Sequence, residues 1–119
     1  MNILERLATL KTKDVQLARP ADTIQEVAAR MARGDFGFVP VADGDQLIGT
    51  ITDRDIAVRA VAAGAAPTAT VLEYITRDPH TVLDTDDLKV VLDLMGARQI
   101  RRAPVVDKHG RVVGVVSLG

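Results

Sequence analysis

The chain is predicted to be an α+β protein made of two β-α-β-β(-α) units. Three observations carry this. A helix-period stripe of Ile24, Val27, Ala28 and Met31 returns 64 positions later as Leu88, Val91, Leu92 and Met95. Each stripe is followed by an apolar stretch with a proline at the same place, Pro40 and then Pro104. Each stretch then meets a turn and a return strand bearing a glycine, Gly49 and Gly114, now 65 apart because the second turn is one residue longer. A pattern that recurs in order over about fifty residues is an internal repeat. The expected organisation is a helical lead-in over 1–11, a first repeat over 12–64, a linker over 65–70 and a second repeat over 71–119. Units this small are poor at standing alone. They are therefore expected to be related by an approximate two-fold axis, with sheets packed together and helices outside.

Taken in order, residues 2–10 read as a short amphipathic helix with Ile3, Leu7 and Leu10 on one side. Val15-Gln16-Leu17 alternates as an edge strand does. Asp22 is expected to open the first long helix and Gly34 to close it. Phe36 to Val41 reads as a strand, and Pro40 suits an edge or irregular position in it. Asp43-Gly44-Asp45 is a turn and Leu47 to Ile51 the returning strand. A helix then runs through Ile56, Val58 and Val61 to Gly64. In the second copy Val71 to Ile75 is a short helix and Thr81-Val82 a short strand. Asp86 opens the next helix, Ile100 to Val106 is a strand, and Asp107-Lys108-His109-Gly110 is the turn.

Composition narrows the function. The chain has 119 residues, is 47% hydrophobic and carries a net charge of −1, so a core is available but no general attraction to polyanions. With no Trp, one Tyr and two Phe, stacking platforms for single-stranded nucleic acid are nearly absent. The absence of cysteine removes disulfides, thiolate metal sites and a cysteine nucleophile. No apolar run has the length of a signal peptide core or a membrane span. The expectation is a soluble, cytoplasmic protein without nucleic-acid or membrane partners.

The stretch Gly49-Thr50-Ile51-Thr52-Asp53-Arg54-Asp55 is where a strand turns directly into a helix. Thr52-x-x-Asp55 has the pattern of a capping box. The same residues suit a phosphorylated ligand. Free backbone N–H groups and the Thr52 hydroxyl would meet a phosphate, Arg54 would neutralise it, and Asp55 would accept from a ribose diol. Capping and ligand binding are compatible here.

The doubled pattern resembles a tandem pair of cystathionine-β-synthase (CBS) domains, a Bateman module, of the small bacterial type. In the first copy the resemblance rests on Asp22-Thr23-Ile24-x-x-Val27, Phe38-Val39-Pro40-Val41 and Gly49 to Asp55. In the second it rests on Asp86-Asp87-Leu88-x-x-Val91, Ile100 to Asp107 and Gly114-Val115-Val116-Ser117. It covers about residues 12–119. The resemblance implies an adenosine-type ligand, such as AMP, ADP, ATP, NAD or S-adenosylmethionine, in the cleft between the repeats. Thr52, Arg54 and Asp55 would take phosphate and ribose, and the base would lie against Val15, Gly37, Phe38, Val39 and Pro40. Corresponding contacts from the second copy would be Arg101, Arg102, Pro104 and Ser117. The counterpart of Asp55 would fall at position 120, so the second copy lacks its trailing helix and the first site is expected to be the better formed. The resemblance also implies a homodimer joined through helices such as Ile56 to Val61, and a regulated partner protein.

Plainer readings stand beside these. Phe36 and Phe38 are candidates for simple core packing. Arg101 and Arg102 point to opposite faces of a strand, where charge also protects an edge. Asp84, Asp86 and Asp87 suit helix capping better than metal binding. His80 and His109 have no second ligand at metal spacing. No nucleophile elbow, phosphate-binding Gly-Lys loop or paired histidine motif is present, so a non-enzymatic regulatory module is expected. The alternative is a dimerisation or protein-interaction module with no small-molecule ligand.

Overall fold

The computed structural model describes residues 16–117. The expected lead-in helix and Val15 lie outside them, as do residues 118 and 119. The chain clusters into two units. One holds Gln16–Gly44 and Ile48–Asp78, and the other holds Asp45–Leu47 and the described residues from Pro79 onward.

In the first of these, helix α1 (Ile24–Gly34) buries Ile24, Val27 and Met31. Its cap is Thr23, not Asp22: the Thr23 hydroxyl accepts from Glu26 N–H at 3.0 Å. Asp22 is engaged elsewhere, accepting from Arg19 N–H at 2.8 Å and pairing with Arg30 at 2.5 Å. The left-handed residue that ends the helix is Asp35 (φ 53°), one beyond the expected Gly34. Strands β1 (Phe38–Asp43) and β2 (Gln46–Thr52) form a two-stranded sheet turned at Gly44 (φ 59°). Ala18 bridges Val41 in parallel on one edge, and Thr76 bridges Thr50 on the other. Ala18 N–H donates to the Pro40 carbonyl, so the missing N–H of Pro40 faces that lightly paired edge, where a proline is tolerated. Gly49 is required by the Thr76 side: a Cβ there would sit 2.6 Å from the Thr76 carbonyl oxygen.

β2 runs into α2 (Asp53–Asp55), which continues as a π-helical segment, Ile56–Val61. Ala62 N–H reaches back to the Ala57 carbonyl, and Ala65 N–H to that of Ala60. The chain then returns to α1. Ile24 N–H donates to the Ala69 carbonyl, Gln25 N–H to that of Pro67, and Val71 N–H to that of Asp22. After the 3-10 turn Val71–Glu73, buried Val71 and Ile75 join Val27, Val41, Ile51 and Ile56 in one core.

In the other unit, β3 (Val82–Leu83) pairs in parallel with β4 (Arg102–Val106), which pairs antiparallel with β5 (Val112–Ser117). Helix α3 (Leu88–Arg98) buries Val91 and Met95 against Ala103 and Val105. Here too the cap lies one residue later than expected. Asp87 accepts from Lys89 and Val90 N–H groups, while Asp86 accepts from Leu83 N–H. The two copies thus match in detail at an offset of 64: Thr23 with Asp87 as caps, and Asp35 with Gln99 (φ 58°) as left-handed ends. No helix among the described residues is long and apolar enough to cross a membrane.

Candidate functional site

The strand-to-helix junction forms a complete capping box. Asp55 N–H donates to the Thr52 hydroxyl oxygen and Thr52 N–H to the Asp55 carboxylate, each at 3.0 Å. The remaining first-turn donors are also engaged: Asp53 N–H meets the Gly37 carbonyl at 3.0 Å, and Arg54 N–H meets Asp53 Oδ1 at 2.9 Å. This corrects the expectation of free backbone donors for a phosphate. In a helix opened by a capping box, the side chains consume those N–H groups themselves. What the junction still offers is side-chain chemistry. The Thr52 hydroxyl keeps its own proton to donate. The exposed Arg54 guanidinium has no partner among the described residues. Asp55 uses one oxygen in the box, and the other faces Arg59 at 3.9 Å. Arg59 in turn donates to the Ile75 carbonyl at 3.3 Å.

Gly37 sits directly beneath this turn. A Cβ at Gly37 would fall 2.6 Å from an Asp53 carboxylate oxygen, so a side chain has no place there. Next to this contact a cavity of about 400 Å³ is lined by Met31, Asp35, Phe36, Gly37, Asp53 and Ile56, among others. Of the described residues anticipated from sequence only Gly37 lines it. Asp53 was not anticipated, because nothing local in the sequence records that it packs on Gly37, sixteen residues earlier.

The residues expected to hold the base divide. Gly37 and Phe38 are partly exposed, whereas Val39 and Pro40 are buried in the sheet. Val39 and Pro40 therefore present almost no surface to a ligand. The same correction applies to Pro104, which is fully buried in β4 opposite Val115. Phe36, as its plainer reading had it, packs against the core. Arg101 and Arg102 are exposed, and Arg102 lies across from Ser117 at the end of the β4–β5 pair. Val15 lies outside the described residues.

Two carboxylates are held below their ordinary range. Burial pushes Asp22 up, but the Arg19 N–H bond, the Arg30 hydrogen bond and the charges of Arg30 and Arg19 outweigh it. Asp107 behaves alike: partial desolvation raises it, and bonds from Arg111 and His109 lower it further. Both fix loops: Asp22 ties the segment before α1, and Asp107 closes the β4–β5 turn.

Comparison with known proteins identifies the family. A protein-family model described as CBS domain matches residues 7–61 and 71–119. The chain is 37% identical over 108 residues to the CBS domain-containing protein YhcV of Bacillus subtilis, covering 91% of this chain and 76% of that one. It is similar to the CBS domain pair of protein MJ0100, a structure in complex with 5′-methylthioadenosine and S-adenosyl-L-methionine. That match has a TM-score of 0.79 and 29% identity, over 98% of this chain and 85% of that one. It is also similar to the cytosolic domain of the Mg²⁺ channel MgtE in complex with ATP, with a TM-score of 0.74 and 27% identity, over 89% of this chain and 43% of that one. The chain belongs to the CBS-domain family and carries two such domains in tandem.

Proposed function

We propose that this protein is a regulatory module that senses an adenine nucleotide or a related adenosyl compound, bound at the Thr52–Asp55 junction. The observation that carries the reading is the set of functions within four residues that the described residues leave unused: one hydroxyl proton, one guanidinium and one carboxylate oxygen held only loosely by Arg59. These suit a phosphate and a ribose diol. The complexes of MJ0100 with adenosyl compounds and of MgtE with ATP support the same class of ligand. Binding without catalysis fits the junction. Thr52 Oγ accepts from a backbone N–H, which withdraws electron density from it, whereas a nucleophile needs an adjacent base.

Binding acts by favouring one of two arrangements that a partner protein reads. Association into a homodimer is part of the proposal: Val58 and Val61 on the π-helical segment are 51% and 65% exposed, and a second copy would cover them. A nucleotide sensor works where nucleotides are abundant, which is the cytoplasm. Calorimetric titration with AMP, ADP, ATP, NAD and S-adenosylmethionine tests the reading. Saturable binding of at least one ligand, weakened by Asp55→Ala, supports it. No binding across the panel overturns it in favour of an interaction module without a ligand. Light scattering at high protein concentration checks the dimer, and a strictly monomeric mass would remove that part.

A further inference from the structure

The two repeats build the same crevice between their long helix and the segment before it, with opposite results. In the first repeat six of the described residues line it, Gln16, Leu17, Val27, Arg30, Phe36 and Val39, and they leave no room for a water molecule. All six counterparts at an offset of 64 (His80, Thr81, Val91, Leu94, Ile100 and Ala103) line a crevice of about 70 Å³ in the second. Three exchanges open it. Arg30, which reaches across to Asp22 and the Leu17 carbonyl, becomes Leu94, which is too short and apolar to do so. Phe36, whose ring lies so close over Gly34 that a Cβ there would collide with it, becomes Ile100. Val39 becomes Ala103. At the position of Gly34 the second repeat also supplies a cation, Arg98, which lines the crevice and has no ion-pair partner among the described residues.

We propose that this crevice is a binding site for a branched aliphatic carboxylate. Val82, Val91, Leu94 and Met95 supply an apolar floor, and among the described residues no acidic side chain lines the site. An apolar cavity of about 150 Å³ holds benzene, so about 70 Å³ suits a group the size of isobutyl. The guanidinium of Arg98 at its mouth matches a carboxylate, with its planar fork of donors. Leu94, 46% exposed, and Val90, 60% exposed, extend apolar surface beyond the crevice. None of this involves the Thr52–Asp55 junction, so the site stands or falls apart from the nucleotide reading. The carboxylate is either a free small acid or a leucine neighboured by an acidic residue in a partner's chain, and the chemistry recognised is the same.

Methyl and amide NMR shifts of the full chain titrated with 4-methylpentanoate test the proposal. The arms are 4-methylpentanamide, which lacks the charge, and the peptide acetyl-Gly-Leu-Glu-Gly-amide. The expected result is saturable shifts at Val91, Leu94 and Met95 with the free acid or the peptide. The amide, or the Arg98→Gln variant with the acid, should bind about tenfold more weakly. Tighter binding of the peptide assigns the ligand to a partner protein, and tighter binding of the free acid assigns it to a metabolite. Leu94→Arg and Ile100→Phe restore the residue types that close the first repeat, and each should abolish the shifts. Leu94→Arg changes an exposed position, so its folded spectrum keeps the test decisive if Ile100→Phe misfolds. No saturable shift with either probe, or shifts that Leu94→Arg leaves unchanged, would overturn the proposal.

Discussion

Asp53 and Gly37 meet twice: the Asp53 N–H donates to the Gly37 carbonyl at 3.0 Å, and the Asp53 carboxylate fills the space a Gly37 side chain would need. The start of α2 is thereby fixed to the backbone just before β1. Gly37→Ala should push the carboxylate off both its seat and the Arg54 N–H, lowering stability by about 1–3 kcal/mol. Asp53→Ala removes the obstruction, so the double variant should recover much of the loss. Chemical denaturation of the four proteins measures the coupling, and strictly additive losses would show that the contact is unimportant.

Two other glycines should respond in opposite directions. At Gly49 an added methyl meets the Thr76 carbonyl at 2.6 Å and the Ile75 side chain at 2.8 Å. Gly49→Ala should therefore lower the denaturation midpoint by an amount equivalent to about 1–3 kcal/mol. Gly96 lies inside α3 with nothing within 4 Å of an added Cβ. Gly96→Ala should raise stability by roughly 0.5–1 kcal/mol through helix propensity alone.

The Thr52–Asp55 pair serves the cap and, in the proposed function, the ligand, and the two roles separate by measurement. Loss of the cap costs about 1 kcal/mol of stability in either Thr52→Val or Asp55→Ala. A ligand role adds a loss of nucleotide affinity of roughly tenfold or more in Asp55→Ala. A 2′-deoxy nucleotide should bind wild type more weakly and lose little further on Asp55→Ala. Equal binding of ribo and deoxy forms would remove Asp55 from ribose recognition.

Acid should act through Asp22. Its folded carboxyl titrates below the ordinary 3.8, so the unfolded chain binds that proton more readily than the folded one. The stabilisation is complete above that value and disappears as pH falls through the lower folded value. Asp22→Asn should reduce the urea midpoint at pH 7 but bring it close to wild type at the acid end. A difference independent of pH would assign the effect to packing.

Much of the fold was legible because the repeat states each feature twice. Ile24, Val27 and Met31 with Leu88, Val91 and Met95 mark the inward helix faces, and all are buried but Leu88, which is half-buried at the start of α3. Pro40 and Pro104 mark matching strands. The caps were placed one residue early in both copies for a shared reason. Asp-Thr and Asp-Asp each offer two capping side chains, and in both copies the first accepts from the N–H three residues before it, Arg19 or Leu83, which leaves the second to cap. The capping box at Thr52 was legible because it is local. That the box would exhaust the backbone donors, and that Val39 and Pro40 would turn inward, depends on contacts with Gly37 and the core. Asp53 was missed for the same reason.

The repeated stretch of sequence and the stretch that folds together are different pieces of chain. Val71 and Ile75, read as the opening of the second copy, complete the core around Val27 and Ile51, and Thr76 closes the edge of β2. During synthesis, the earlier copy therefore cannot finish its interior until the ribosome has passed the beginning of the later one. A gene cut at the alanine-rich junction near residue 65 would yield an incomplete core, although it would carry one whole copy of the repeated sequence.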